Sequence, residues 1–370
     1  MIEPKQARLL PHRNVPDEVI HNILSRLSPK PLMRFRCVST YWNLQITESH
    51  FKSHRKFLLS DISLYALNGE NVYSSVEVPS PFENGHWKNA FVIGTLYGIV
   101  ILALEKAKAL QLILYNPLTR EARKLPDPPR SCCISARERH AYGFGYGYEA
   151  TPDDSKIVIG YNQLSCDCSE SANEYEYDSD GEYISDSKYC HVFSLKQGSW
   201  TTPKTDFGCA NISQAVGVFL NGYLNWLSGY RGSKIIVLDV EEMKFSRMGV
   251  PDGTNESSRL GTLHRRLCIV NKNKTGFIVW VLNIERYLHK EWLKRYSFTI
   301  GIERDYHCLD TICILEDGRI VLMDFKSLHL IFYDPSKGSQ NIFKCMASFT
   351  TSGIEYVESL ASPSDICRYI

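Results

Sequence analysis

Val15-Pro16-Asp17-Glu18-Val19-Ile20-His21-Asn22-Ile23-Leu24-Ser25-Arg26-Leu27 opens the stretch that decides how this chain reads, and Ser28 to Trp42 completes it. Apolar positions 19, 20, 23, 24 and 27 share one side of a 3.6-residue helix. Pro16 suits the first helical position, where its missing N–H removes nothing, and Asp17 and Glu18 meet the positive end of the helix dipole. A second short helix can begin at Pro31, with Leu32, Phe35 and Val38 inward. Over residues 10–51 this predicts a compact all-α head of three short helices. Its apolar surface exceeds what so few residues can bury, so the head needs a partner surface.

Charge separates the head from the body. Residues 1–60 hold ten Lys/Arg against four Asp/Glu, leaving 32 against 37 for the remainder of a 370-residue chain whose net charge is +1. A basic head suits an acidic protein partner, although a solvated basic face explains it equally well. With 44% hydrophobic and 22% charged residues, the composition is that of an ordinary globular protein. It points to neither nucleic acid nor membrane. The start, Met1-Ile2-Glu3-Pro4-Lys5, has no apolar run of signal length, and the twelve cysteines read as reduced thiols of a cytoplasmic or nuclear protein.

Beyond about residue 57 the helical period gives way to short runs of Val, Ile, Tyr, Phe and Leu between Gly, Asn, Asp and Pro turns. A weak repeat shows at the ends of successive third strands: Leu114-Tyr115-Asn116-Pro117, Phe193-Ser194-Leu195, Leu238-Asp239, Leu282-Asn283 and Phe332-Tyr333-Asp334-Pro335. Taken at 116, 195, 239, 283 and 334, the intervals are 79, 44, 44 and 51 residues. An acidic insertion at 163–189 accounts for the long first one. Hairpins recur inside the units, with Asn221-Gly222 and Asp317-Gly318 at their tips. The strands 121–125, 199–202 and 244–248 are short and polar, as outer edges should be.

A repeat of four strands at this pitch is that of β-propeller blades. Five units fall between residues 90 and 345; strands at 57–78, joined by 354–360 from the far end, can make a sixth. The expectation is an all-β propeller over 57–365, six-bladed, with a seven-bladed ring or two packed sheets as alternatives.

The head resembles the F-box family on Val15-Pro16, Asp17-Glu18, Ile23-Leu24-Ser25-Arg26-Leu27, Lys30-Pro31-Leu32 and Val38-Ser39-Thr40-Tyr41-Trp42, with Val15 for leucine as a mild departure. The body resembles the plant F-box-associated, kelch-like domain that includes the S-locus F-box proteins. There the resemblance rests on Tyr115-Asn116-Pro117-Leu118-Thr119-Arg120, Tyr142-Gly143-Phe144-Gly145-Tyr146 and Phe219–Trp226. The paired glycines of true kelch repeats are missing. What the resemblance implies is a non-catalytic substrate-recognition subunit of a Skp–cullin–F-box ubiquitin ligase, in the Ubl conjugation pathway of protein degradation. Val15, Pro16, Val19, Ile20, Ile23, Leu24, Leu27, Pro31, Leu32 and Phe35 would bind the Skp-type adaptor, the cullin would follow, and the propeller would hold an unknown protein substrate. Trp42 would anchor the head's own core.

Other chemistry finds little support. Asp178-Ser179-Asp180-Gly181-Glu182 in the insertion suggests a calcium loop, but that register puts Glu176 first and Ser187 twelfth. A connecting loop, a contact for a basic substrate or a segment tuned through Ser179 are the other readings. Cys132-Cys133 with Cys166 and Cys168 lacks zinc spacing. Gly143, Gly145 and Gly147 do not open a helix, so they make no phosphate loop; crowded strands near an axis explain them better. No nucleophile elbow or metalloprotease helix occurs, and no cofactor or metal is expected. The rivals are a ligase-independent F-box scaffold and a propeller enzyme with carboxylates or Tyr/His ligands converging near the axis.

Overall fold

The computed structural model describes residues 16–24, 35, 38, 42, 55–60, 64–68, 76–78, 89–106, 109–129, 140–147, 154–163, 187–203, 212–228, 234–284, 290–300, 308–344 and 352–366. The chain divides into two compact units, Met1–Ser53 and His54–Ile370.

In the first unit one helix is described, α1 (Asp17–Leu24). The Pro16 carbonyl accepts from the Ile20 N–H at 3.2 Å and the Val19 N–H at 2.9 Å. Pro16 therefore caps the helix from just outside it, one position earlier than the sequence suggests, and Asp17 takes the first helical position. Phe35 and Trp42 meet edge to face with centroids 5.6 Å apart. Val38 departs from the expectation: it is 58% exposed rather than turned inward. Of the three helices expected, only α1 falls within the described residues.

The second unit is built from strands in sequential hairpins. They are β1 (Arg55–Ser60), β2 (Leu64–Asn68), β3 (Val76–Val78), β4 (Asn89–Leu96), β5 (Ile99–Lys106), β6 (Ala109–Tyr115), β7 (Ala122–Lys124) and β8 (His140–Gly145). Next come β9 (Lys156–Gln163), β10 (Ser187–Ser194), β11 (Ser199–Thr201), β12 (Val218–Leu220), β13 (Tyr223–Ser228), β14 (Lys234–Asp239), β15 (Lys244–Gly249) and β16 (Arg259–Leu263). The last are β17 (Arg266–Asn273), β18 (Gly276–Ile284), β19 (Lys290–Phe298), β20 (Leu309–Ile314), β21 (Ile320–Asp324), β22 (His329–Asp334), β23 (Ser339–Lys344) and β24 (Ser352–Val357), before a single turn of helix, α2 (Pro363–Ile366).

Five four-stranded antiparallel sheets take consecutive strands, from β4–β7 through β20–β23. The remaining sheet has the order β24-β1-β2-β3, with Arg55 opposite Val357 and Ser60 opposite Ser352. The leading strands abut in turn: β4 on β8, β8 on β12, β12 on β16, β16 on β20, β20 on β24 and β24 on β4. That circuit is the arrangement of a propeller.

Burial explains why these sheets stand face to face around a ring. Ile99 to Leu104 are all fully buried on consecutive positions, so both faces of β5 are covered. A sheet with one wet face would alternate instead. The apolar clusters accordingly span neighbouring sheets. Ile101, Leu112 and Leu114 pack with Phe144, Ile157 and Phe193 of the next sheet, and Cys190 and Val192 pack with Leu224 and Trp226 of the one after. Outer strands behave oppositely: β7 and β15 are mostly exposed and polar.

The glycines of the leading strands are seats for the neighbouring sheet. A Cβ on Gly94 would collide with Phe144, one on Gly145 with Phe219, and one on Gly261 would lie 2.6 Å from Ile314. Each time a large side chain of one leading strand enters the gap left by a glycine on another. The second and third consecutive-strand sheets are further stitched by the backbone. Tyr142 N–H donates to Ala215 at 2.7 Å, Gly217 N–H to Tyr142 at 2.7 Å, and the buried Trp226 indole N–H to Tyr142 at 2.9 Å.

The weak repeat also has a physical cause. Asn116 Oδ1 accepts from the Leu118 and Thr119 N–H groups at 2.9 and 3.2 Å. Asp239 does the same for Glu241 and Glu242 at 2.9 and 3.0 Å, and Asp334 for Ser336 and Lys337 at 2.9 and 3.2 Å. In the second of these sheets the role falls to Ser194, whose hydroxyl accepts from Gln197 at 3.1 Å, not to residue 195. Four residues on, Arg120, Gly198, Met243 and Gly338 all have left-handed φ of 64, 65, 55 and 65°. The signature is thus a side-chain-capped turn between third and fourth strands. Asn283 does not share it; it accepts from Arg266 at 3.4 Å.

Asn116 does more. Fully buried, it donates both amide hydrogens to the tail after β24, to Ser359 O at 3.0 Å and Ala361 O at 2.8 Å. Arg123 donates to Ser364 O at 3.2 Å, and the Ser359 hydroxyl to Tyr97 O. Residues 358–366 therefore strap the chain's end onto the β4–β7 sheet, next to the one β24 completes.

Candidate functional site

Three places carry candidate chemistry. The first is α1. Ile20 and Leu24 are buried, at 8% and 1% exposure, whereas Val19 and Ile23 stand 45% and 49% exposed. The apolar side expected from periodicity is thus divided: one i, i+4 pair is inside and the adjoining pair faces outward. Pro16 is exposed and Phe35 half-buried. Val15, Leu27, Pro31 and Leu32, expected beside them, lie outside the described residues.

The second is the middle of the ring, a cavity of about 760 Å³ reached by every leading strand. Its wall mixes apolar side chains, Phe91, Phe144, Phe219, Ile312 and Ile354 among them, with polar ones such as Ser213, Gln214 and Thr262. Among the described residues, the charged groups on it are Arg259, Glu316 and Glu355. Arg259 Nε donates to Thr311 O at 3.1 Å and Nη1 to Ser258 O at 3.5 Å. Burial pulls the Arg259 pKa below its ordinary value, with the Asp310 charge opposing. Glu355 accepts the Glu316 N–H at 2.6 Å. Gln214, also on the wall, spends its amide on Val216 O, Leu260 O and the Leu260 N–H.

The third is a buried polar knot between the β4–β7 and β8–β11 sheets. Glu105 accepts from Tyr142 Oη at 2.5 Å and Asn89 Nδ2 at 2.8 Å, with His140 Nδ1 3.4 Å away. Burial pushes the Glu105 pKa up, but hydrogen bonds from His140, Tyr142 and Asn89 outweigh it and hold the carboxyl below its ordinary value. Burial and the Glu105 charge raise Tyr142 well above the phenol range. The knot holds one carboxylate, and Glu105, His140 and Tyr142 are each 7% exposed or less. It is built to join two sheets. Neither the sequence spacing of 105, 140 and 142 nor their types singled it out.

Among the described residues no group of three or more His, Cys, Asp or Glu is placed to hold a metal, and no helix is long and apolar enough to cross a membrane. Cys190 and Cys268 are buried free thiols, and burial alone pushes Cys190 up to about 12. Cys132, Cys133, Cys166 and Cys168 lie outside the described residues, as do the acidic positions 167–186. β9 and β10 remain paired out to Gln163 and Ser187, so the acidic segment joins the middle strands of one sheet. Gly143, Gly145 and Gly147 are the close-packing positions the strand reading expects, with Trp226, Phe219 and Glu241 against them.

The described chain is thus a small unit whose helix exposes Val19 and Ile23, followed by a larger unit of propeller-like sheets. The comparisons with known proteins agree. Residues 13–54 match the F-box domain and residues 49–357 the F-box associated beta propeller domain. The chain belongs to the F-box proteins with an F-box-associated β-propeller, of the plant type. An F-box/kelch-repeat protein of Arabidopsis thaliana is 24% identical over 99% of this chain and 100% of its own length. The Arabidopsis F-box protein CPR1 is 23% identical over 86% of this chain and 82% of its own. Among solved structures, a chain of a nidogen/laminin complex superposes with a TM-score of 0.47 at 13% identity, covering 82% of this chain and 99% of that one.

Proposed function

We propose that this chain is the substrate-recognition subunit of a Skp–cullin–F-box ubiquitin ligase, working in the cytoplasm or nucleus. The head docks on a Skp-type adaptor, which joins the cullin. The propeller, which we read as six-bladed with the β24-β1-β2-β3 sheet closing the ring, holds the protein to be ubiquitinated. No bond is made or broken on this chain. Its contribution is proximity, which raises the local concentration of target lysines near the ubiquitin carrier.

The observation that supports this best is the division of α1. Ile20 and Leu24 are spent on the protein's own interior, while Val19 and Ile23 offer an apolar stripe one turn long. A helix presenting such a stripe suits a groove on a helical partner. Val19 and Ile23 are therefore the contact residues, and Ile20 and Leu24 the ones that shape the helix. The test is co-purification of the full chain with a Skp-type adaptor and cullin. Val19→Asp with Ile23→Asp should abolish capture while the propeller keeps its wild-type melting profile. Capture by the double variant at wild-type yield refutes the assignment.

A further inference from the structure

The axial cavity has an unbalanced corner. Arg259 opens β16, and its guanidinium bonds only to the main-chain carbonyls of Thr311 and Ser258. The carboxylate whose charge acts on it, Asp310, is held instead by Lys272 Nζ at 2.8 Å, which also donates to Leu309 O at 2.6 Å. Two cations thus share one anion, and the Arg259 fork keeps donors that no described group fills.

Glu316 and Glu355 also reach the cavity. Glu355 has the Glu316 N–H as its own donor at 2.6 Å, and its charge helps to raise the Cys313 thiol pKa. Phe91, Phe144, Phe219, Ile312 and Ile354 supply the apolar part of the wall.

We propose that the axial cavity is a binding site for a small organic acid with an apolar, ring-sized body, its carboxylate paired with the Arg259 fork. The volume of about 760 Å³ lies within the range of small-molecule pockets. Planar, two-pronged pairing with carboxylate is what a guanidinium does best. The site lies beyond the ubiquitin-ligase reading and stands whether or not the head binds an adaptor.

The test is calorimetric titration of the full chain with 2-naphthoate and with its neutral isostere 2-naphthamide. The acid should bind at least tenfold more tightly than the amide. Arg259→Gln should erase that preference while leaving the weak apolar binding, and added chloride should compete with the acid but not with the amide. Equal affinity for the two probes, or no measurable binding of the acid up to its solubility, overturns the proposal on wild-type protein alone. A folded Arg259→Gln chain that still prefers the acid tenfold overturns it as well. Should Arg259→Gln not fold, the wild-type comparison and its chloride dependence decide.

Discussion

Replacing Asn116 by alanine removes four hydrogen bonds from one fully buried side chain: two accepted from Leu118 and Thr119, two donated to Ser359 and Ala361. The turn keeps its main-chain bond from the Arg120 N–H to Asn116 O at 2.8 Å, so its half of the loss is partial. The strap loses both of its amide partners. With each bond worth about 0.5–1.5 kcal/mol net, the expected destabilisation is about 3–4 kcal/mol. Urea unfolding of the full chain, followed by tryptophan fluorescence, measures it. In a chain ending at residue 358 the strap is absent, and the same substitution should cost only about half as much, because only the turn remains to be lost. Asn116→Asp keeps the acceptor but sets a carboxylate against two carbonyl oxygens. It should match or exceed the alanine loss at pH 7 and recover in acid, where the protonated carboxyl can donate again. A cost under about 0.5 kcal/mol for alanine, or an equal cost with and without the strap, refutes the reasoning.

Other consequences are open to the same kind of measurement. Leu24→Asp places a charge where a 1%-exposed side chain sits; it should unfold the head and lose adaptor capture together with helical signal, whereas Val19→Asp/Ile23→Asp should lose capture alone. His264 and Arg265 make a two-residue turn between β16 and β17 with left-handed φ of 49 and 59°. Arg265→Gly should relieve that strain and stabilise the propeller by about 0.5–1 kcal/mol in urea unfolding; a loss would contradict the turn assignment. Glu105 has its folded pKa lowered, so its contribution is complete above the ordinary value of 4.5 and disappears as the pH falls through the folded one. Glu105→Gln should cost about 2 kcal/mol at pH 7, with the gap closing progressively in acid unfolding curves. A gap independent of pH would mean that the carboxylate charge is not what the knot uses.

Much of the architecture was legible because each feature had a local cause. The helix over 17–24 follows from apolar spacing and an acidic start. The hairpin at Asn221-Gly222 follows from a dipeptide type that settles easily into two left-handed positions, with φ of 49 and 83°. The third-strand signature was visible as Asn or Asp because one short side chain caps each turn. It misled where serine did the work, at Ser194, since a hydroxyl in a polar run looks like any other. Val38 was expected inward on spacing alone, and its 58% exposure shows that a short segment's period does not say which side the rest of the head covers. The candidate sites were less legible. Helical periodicity found all four of Val19, Ile20, Ile23 and Leu24 but could not divide them, because all four are aliphatic and only their neighbours tell inside from outside.

By itself the sequence determined the two-part plan: a helical head followed by repeated four-strand units, with glycines where strands crowd and asparagine or aspartate where they turn. Those are properties of single residues and their nearest neighbours along the chain. Tertiary structure alone decided which residues distant along the chain meet. Asn116 holds the tail at 359–361, Glu105 gathers Asn89, His140 and Tyr142, and Arg259 lies on the cavity wall while Asp310 is held by Lys272. Hydrogen bonds and charges act over a few ångströms in space, whatever their distance in sequence, so these pairings exist only once the strands have paired and the sheets have packed.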